Sequence, residues 1–219
     1  LNERYLGSLL EVCSSFEPWL VSDHLCWTGI KSENLFDLLP FPFTRAALGH
    51  VAERVSRVQD LLRRPLAVEN LTFYAKPLGD EMGEGDFLNE LCRRTGCRLL
   101  LDINNIYVNS VNFGIDPRGY LLSLDLSNVA QVHLAGHTER RDGLLIDTHG
   151  APIKDEVFEL YGCALGMMGP VPTMIERDQN IPDWSEMEAE LARVRKLRAA
   201  AGKGRVSRAE PDAMAGTRL

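Results

Sequence analysis

Three carboxylates stand behind short apolar runs: Glu69 in "PLAVEN", Asp102 in "RLLLDINN" and Glu176 in "TMIERD". Any one of them reads equally well as a turn cap or as the partner of a lysine or arginine. Three converging carboxylates would repel one another, and burying them without a cation costs several kcal/mol apiece. A cation is the simplest remedy. His24 ends "WLVSDH" and His133 lies in "AQVHLAGH". Imidazoles mixed with carboxylates form the nitrogen and oxygen set that suits iron, manganese or zinc rather than magnesium, calcium or copper(I).

The stretch Val132 to Ile153 adds to this set, since it carries His133, His137 and His149, three of the five histidines in the chain. Asp147 stands two residues before His149 in "DTHG". Alternate residues of an extended segment share a side, so this pair can reach one ion together. Glu69, Asp102, Asp147 and Glu176 with His24, His133 and His149 are too many ligands for one ion, so two or three metals would share them. His137 is read as a residue that orients the ligands from behind. Asn104 and Asn105 follow Asp102 and are read first as turn formers. Ser14, Ser15 and Ser22 lack a GxSxG context, which leaves nucleophilic serine chemistry without support.

The elements that must carry these residues alternate in type. The runs at 19–24, 65–70, 98–105, 130–137 and 173–178 are nearly continuous in Val, Ile and Leu, as strands buried on both faces are. Helical patterns separate them. One follows Thr44 with Val51, Val55, Val58 and Leu62 on a face and stops at Pro65. Another, "GDFLNELCRRTG", has Asp86 near its start, Arg93 and Arg94 in its last turn and Gly96 as its stop. "KDEVFELYGCALGMMG" and "DWSEMEAELARVRKLRAAAG" complete the series. Alternation of this kind predicts a parallel sheet. Reactive residues at the ends of several strands favour a barrel over an open sheet, whose site gathers at one switch point. The predicted fold is α/β, a (β/α)8 TIM barrel. A closed barrel has eight strands and typically about 250 residues, so two strands are expected upstream of Leu1 and an irregular unit around "LLIDTHG". Residues 1–200 are read as one partial barrel domain and 201–219 as a flexible tail.

With 219 residues, 45% hydrophobic and 25% charged, the composition suits one globular domain. The net charge of -7 argues against a broad nucleic-acid-binding surface. No apolar run approaches the roughly 20 residues of a membrane span, and no leader pattern opens the sequence, so the chain is expected to act in the cytoplasm without membrane or nucleic acid. Five cysteines without a CxxC indicate neither a disulfide framework nor a thiolate zinc site, and most are read as core thiols.

Taken in order, "SDHLCWTG", "LFDLLPFPFT", "LAVEN", "LLLDINNIYVNSVNFGIDP", "VHLAGH", "LLIDTHGAPI" and "MIERD" resemble the multinuclear non-haem iron dependent oxidative enzymes, a xylose-isomerase-like TIM-barrel family. The resemblance runs from about Trp19 to Asp178. It implies two or three iron ions, dioxygen as co-substrate and oxidation of cysteine residues in a ribosomally made precursor peptide, often with a partner protein that presents the peptide. By motif it places His24 and Glu69 on one iron, with Glu69 bridging. Asp102, His133 and Glu176 fall on a second, and Asp147 and His149, with Asn105, on a third. Glu69 and His133 are the implied catalytic residues, with His137 and Asn104 supporting the ligands. Family members carry a further metal-binding histidine on an early strand, and no residue before His24 supplies it here. The alternatives are a metal-dependent isomerase or hydrolase on the same type of barrel, and a degenerate metal-binding or partner-binding module.

Overall fold

The computed structural model describes residues 1–30 and 33–206. Helix α1 (Glu3–Phe16) leads into β1 (Val21–His24), and a hairpin of β2 (Trp27–Ile30) and β3 (Glu33–Leu39) follows. Then come α2 (Arg45–Leu62), β4 (Leu66–Glu69), α3 (Glu84–Thr95), β5 (Arg98–Asp102), α4 (Ile103–Phe113) and α5 (Pro117–Ser123). A single 3-10 turn at Leu126–Asn128 precedes β6 (Val129–Leu134). The small hairpin of β7 (Thr138–Glu139) and β8 (Leu145–Ile146), then α6 (Asp155–Met168), β9 (Thr173–Ile175) and α7 (Trp184–Val206) complete the series.

The main sheet has five parallel strands in the order β1-β4-β5-β6-β9. Its spatial order follows its chain order with no reversal. A doubly wound sheet would reverse at a switch point, whereas a barrel advances strand by strand in one direction. The five strands expected from the apolar runs are these five. The further strands expected upstream of Leu1 concern residues outside this sequence, and β1 and β9 are the edges of the sheet described here. The irregular unit expected around "LLIDTHG" is the β7–β8 hairpin with the loop after it.

The helices form where their local chemistry directs. Thr44 caps α2 by accepting the Ala47 amide at 3.1 Å, and Leu48, Ala52, Val55, Val58 and Leu62 make its buried stripe. Gly96 takes φ 69 after α3 and donates its amide to the Cys92 carbonyl, the left-handed ending that glycine adopts without a Cβ penalty. Two findings depart from the sequence reading. Ile103–Phe113 is a helix rather than a turn after β5, because the Asp102 side chain accepts the Asn105 amide at 2.7 Å and starts it. Helix α7 continues to Val206, into the segment expected to be a tail, because Ala199, Ala200 and Ala201 are strong helix formers. Residues 207–219 of that expected tail lie outside the described residues.

Candidate metal centre

The parallel register decides which side chains meet. His24 pairs in register with Glu69, and Asp102 with His133, so four polar residues line up at the carboxyl ends of neighbouring strands. Glu176 follows β9 directly and is tied to the sheet by its amide, which donates to the Leu134 carbonyl at 2.9 Å. Strand β4 is buried throughout and Asp102 has no exposed surface, so these acids sit in dry surroundings.

Acids and imidazoles alternate along the resulting line. Nε2 of His24 lies 3.5 Å from Oε2 of Glu69, and Oε1 of Glu69 lies 3.7 Å from Nδ1 of His133. The same Nδ1 is 3.0 Å from Oε2 of Glu176, which in turn is 3.5 Å from Nδ1 of His149. Nε2 of His149 is 2.9 Å from Oδ1 of Asp147, and its Nδ1 is 3.3 Å from Oδ2 of Asp178. Glu69 and Glu176 thus each stand between two imidazoles.

Two groups of potential ligand atoms each fall within 4.8 Å: Glu69, Asp102, His133 and Glu176 in one, and His149, Glu176 and Asp178 in the other. Within them, Oδ2 of Asp102, Nδ1 of His133 and both ring nitrogens of His149 are buried without an aligned hydrogen-bond partner. Unpaired buried polar atoms are costly and uncommon. Here their residues belong to groups whose potential ligand atoms lie within 4.8 Å of one another, and hard carboxylate with imidazole is the donor chemistry of a divalent transition metal. The residues therefore fit one.

Electrostatics point the same way. Burial would lower the His133 pKa, but contacts with Glu176 and Glu69 override it and raise it from 6.5 to about 10. His149 is pushed to about 9 in the same manner, burial being outweighed by Asp147. Burial raises the Asp102 carboxyl well above its ordinary value, and the charges of Asp147 and Glu69 raise it further. The contact with His133 holds Glu176 below the usual carboxylate range against its partial burial. A surplus of carboxylate thus draws positive charge, as protons or as a metal that displaces them.

The surroundings hold these side chains in place. Asn104 donates to Oδ1 of Asp147 at 2.6 Å and contacts Nδ1 of His137 at 2.7 Å through its carbonyl oxygen. His137 stacks on Tyr107, and burial with the nearby Lys154 charge lowers its pKa to about 4, so the ring is neutral. With Asn104 oriented this way, Nδ1 of His137 is the donor. Asn105 lines the cavity, but its amide is engaged: its oxygen accepts from Thr72 at 2.6 Å and its nitrogen donates to the Asn70 carbonyl at 3.0 Å. Asn70 exchanges two hydrogen bonds with the backbone of Asp102, and Asn109 exchanges two with the Leu71 and Phe73 backbone. The loop after Glu69 is thereby stitched to α4.

The Asp147–His149 segment is held from three sides. The Tyr74 hydroxyl accepts the Asp147 amide at 2.9 Å, and the Asp178 amide donates to the His149 carbonyl at 2.9 Å. His149 itself sits at φ 49, a left-handed conformation that costs a non-glycine residue of order 1–3 kcal/mol. At Gly136 a side chain would overlap the backbone of Ala151 and Pro152, so only glycine lets this segment approach β6. A cavity of about 230 Å³ opens between these loops, lined by His24, His149, Glu176 and Asp178 and also by Asp37 and Tyr74.

Sequence reasoning passed over Asp178, Tyr74, Asn70 and Asn109. Asp178 was legible as the last residue of "MIERD". The Asn105 and Asn109 spacing of four, one helical face, would have exposed the stitch had Ile103–Phe113 been read as a helix. Tyr74 carried no local signal. His50 lies on α2, where it contacts Arg54 at the exposed surface, apart from the other four histidines.

Comparison with known proteins converges on one group. A UPF0276 protein of Caulobacter vibrioides is 49% identical over 199 residues, covering 91% of this chain and 70% of the relative. A UPF0276 protein of Anaeromyxobacter sp. is 42% identical over 201 residues, with 92% and 71% covered. Among solved structures, a xylose isomerase-like TIM barrel protein from Mycobacterium smegmatis in complex with magnesium matches at a TM-score of 0.54 and 15% identity, covering 91% of this chain and 68% of that one. An L-ribulose 3-epimerase matches at 0.55 and 12%, covering 97% and 71%. These two likenesses establish the xylose-isomerase-like TIM-barrel fold. Residues 1–199 match the profile of the RiPP precursor modification enzymes MbnB/TglH/ChrH, and the chain belongs to that family.

Proposed function

We propose that this protein oxidises cysteine residues of a ribosomally synthesised precursor peptide, using iron and dioxygen. The observation that carries the reading is the alternating line His24, Glu69, His133, Glu176, His149 and Asp147, with unpartnered ligand atoms at both His133 and His149. Membership of a family of precursor-modifying enzymes supplies the substrate class. Glu69, Asp102, His133 and Glu176 would hold one iron, and His149 with Glu176, Asp178 and Asp147 a second. His24 with Glu69 marks a third position at the rim. Bound iron would supply one-electron chemistry with dioxygen and a soft partner for a substrate thiolate.

The chain's own residues do the rest. Glu69 and Glu176 each contact two imidazoles and hold them in position. Asn104 aims Asp147, and His137 fixes the orientation of Asn104 in turn. Tyr74 and Asp178 set the backbone of the segment that presents His149. Asp102 is kept from water entirely, so its charge acts in a low dielectric. The cavity is large enough for a cysteine side chain and a diatomic molecule together. A partner protein that presents the peptide, and a cytoplasmic setting, belong to the same proposal. Among the described residues no helix is long and apolar enough to cross a membrane.

The test is anaerobic purification, ferrous reconstitution and exposure to air with a Cys-containing precursor peptide, sought among the short reading frames that neighbour the gene. The expected result is at least two irons per chain, one for each ligand group, with dioxygen uptake and a mass change confined to peptide cysteines. A single tightly held zinc, with no iron uptake and no change in the peptide, would overturn the reading in favour of an isomerase or hydrolase.

A further inference from the structure

A second pair of reactive side chains lies outside the metal centre. Cys92, in the last turn of α3, and Cys97, the residue before β5, are both buried, and their sulfurs are 3.8 Å apart. The joint between them is tightly built. The Gly96 amide returns to the Cys92 carbonyl at 2.8 Å, and the Cys97 amide donates to the Thr95 hydroxyl at 3.2 Å. Gly96 in its left-handed conformation turns the chain back, so the second sulfur faces the first.

The two thiols differ in character. The hydrogen bond from Cys92 lowers the Cys97 pKa despite burial, and the Thr95 hydroxyl assists. The same interaction, with burial, raises that of Cys92. They also differ in access. A groove of about 560 Å³ at this end of α3 is lined by Cys92 with Asp86, Asn89, Glu90, Arg93 and Asp125, while Cys97 lies behind. The other three cysteines, Cys13, Cys26 and Cys163, form no such contact.

We infer that Cys92 and Cys97 form a reversible intramolecular disulfide when the protein meets a hydroperoxide. The sulfurs are in van der Waals contact, and bond formation to about 2.05 Å requires them to approach through side-chain rotation. The hydrogen bond between them favours Cys97 as the thiolate. The Cys97 thiolate attacks hydrogen peroxide admitted by the groove, the O–O bond breaks, and a Cys97 sulfenic acid and hydroxide form. Cys92 gives its proton to that hydroxide, and its thiolate attacks the Cys97 sulfur, forming the S–S bond and breaking S–O, and hydroxide leaves. Two thiolates are oxidised by two electrons while one peroxide is reduced to two hydroxides, which take up the released protons as water. The disulfide ties α3 to the end of β5 remote from Asp102, so it does not depend on the chemistry proposed for the metal centre.

The test uses the whole reduced, metal-free chain with hydrogen peroxide, followed by alkylation, trypsin and mass spectrometry without reductant. Trypsin cuts at Arg93, Arg94 and Arg98, so a disulfide would join two separate peptides. The expected product is that joined pair, lighter by two hydrogens than the sum of its parts and dispersed by dithiothreitol, with Cys13 and Cys163 still alkylated. The Cys92→Ser variant should lose the pair and instead give a Cys97 sulfenic acid that dimedone traps. Independent alkylation of Cys92 and Cys97 to the same extent before and after peroxide, or a pair linking either to a different cysteine, would overturn the inference. Neither result bears on iron content, so this inference and the iron reading fail separately.

Discussion

The two ligand groups are built by different means. Glu69, Asp102 and His133 stand on β4, β5 and β6, where parallel register and burial on both faces leave little freedom. His149 and Asp178 stand on loops, with His149 in a strained backbone conformation that a hydrogen bond from Asp178 and the close approach at Gly136 maintain. Glu176 belongs to both groups. The strand-built group is therefore preorganised by the fold, while the loop-built group depends on neighbouring segments settling against it. Preorganised ligands bind more tightly because less ordering is left to binding, so the strand-built position should fill first on titration with ferrous iron.

The largest effect should come from the shared residue. Glu176→Gln removes a charge that offsets two positions at once, and an amide does not replace it. Iron per chain should fall at both positions, by more than the roughly 10 to 100-fold loss of affinity that a supporting residue costs. Retention of one full iron with only the other lost would show that Glu176 serves a single group. His133→Ala comes next and should differ in kind from His149→Ala. Removing the buried His133 leaves Glu69 and Glu176 without the imidazole between them, each keeping one partner, His24 and His149, at a cost of roughly 3 kcal/mol in the metal-free protein. His149→Ala should abolish iron at the loop-built position and cost the metal-free protein less than about 1 kcal/mol, since Asp178 is exposed and Asp147 keeps its hydrogen bond from Asn104, while alanine retains the backbone strain. Denaturant unfolding of the two chelated variants measures this directly, and equal destabilisation would erase the distinction between strand and loop.

His137→Ala is milder. Its ring touches Asn104 and Tyr107 rather than any of the facing carboxylates of the two groups. Most of the iron should remain, while turnover of the peptide falls by about 10 to 100-fold because Asp147 loses its orientation. Loss of iron equal to that of His149→Ala would make His137 a ligand through its unpartnered Nε2.

The same contrast explains what was legible in the sequence. Residues on strands announce themselves, because a polar residue closing a Val, Ile and Leu run has few places to go: Glu69, Asp102, His133 and Glu176 were all readable in this way. The Asp147 and His149 pair was readable from its spacing of two. Tyr74 was not picked out, since loops bring residues together through tertiary contacts that no local period records, and Asp178, legible at the end of "MIERD", was passed over for Glu176 in the same run. The Asn70, Asn105 and Asn109 stitch was hidden for another reason. Asparagine after a strand suggests a turn, and only the cap made by Asp102 converts that turn into α4. The β2–β3 hairpin likewise escaped notice, because "WTGI" and "ENLFDLL" lack the alternation of a half-buried strand and both are largely exposed.

Glu84 provides the smallest effect and the control for the others, because it is a partly buried acid in the first turn of α3 that belongs to neither ligand group. Burial raises its pKa from 4.5 to about 7, with the neighbouring Tyr120 hydroxyl pulling the other way. The folded state therefore binds this proton more tightly than the unfolded one. Its contribution to stability is fully present below about pH 4.5 and is lost as pH rises through about 7. Glu84→Gln stays neutral throughout and should remove that slope, so that relative to wild type the variant gains about 1 kcal/mol on going from about pH 5 to about pH 7.5. Urea midpoints at the two pH values, taken on chelated and on iron-loaded protein, provide the measurement. The gain should be the same in both forms, whereas the pH response of the metal centre should change on loading, because the metal replaces the protons its histidines hold. A Glu84 response that vanished on iron loading would mean that α3 and the metal centre are coupled, and the division between the strand-built site and its scaffold would have to be redrawn.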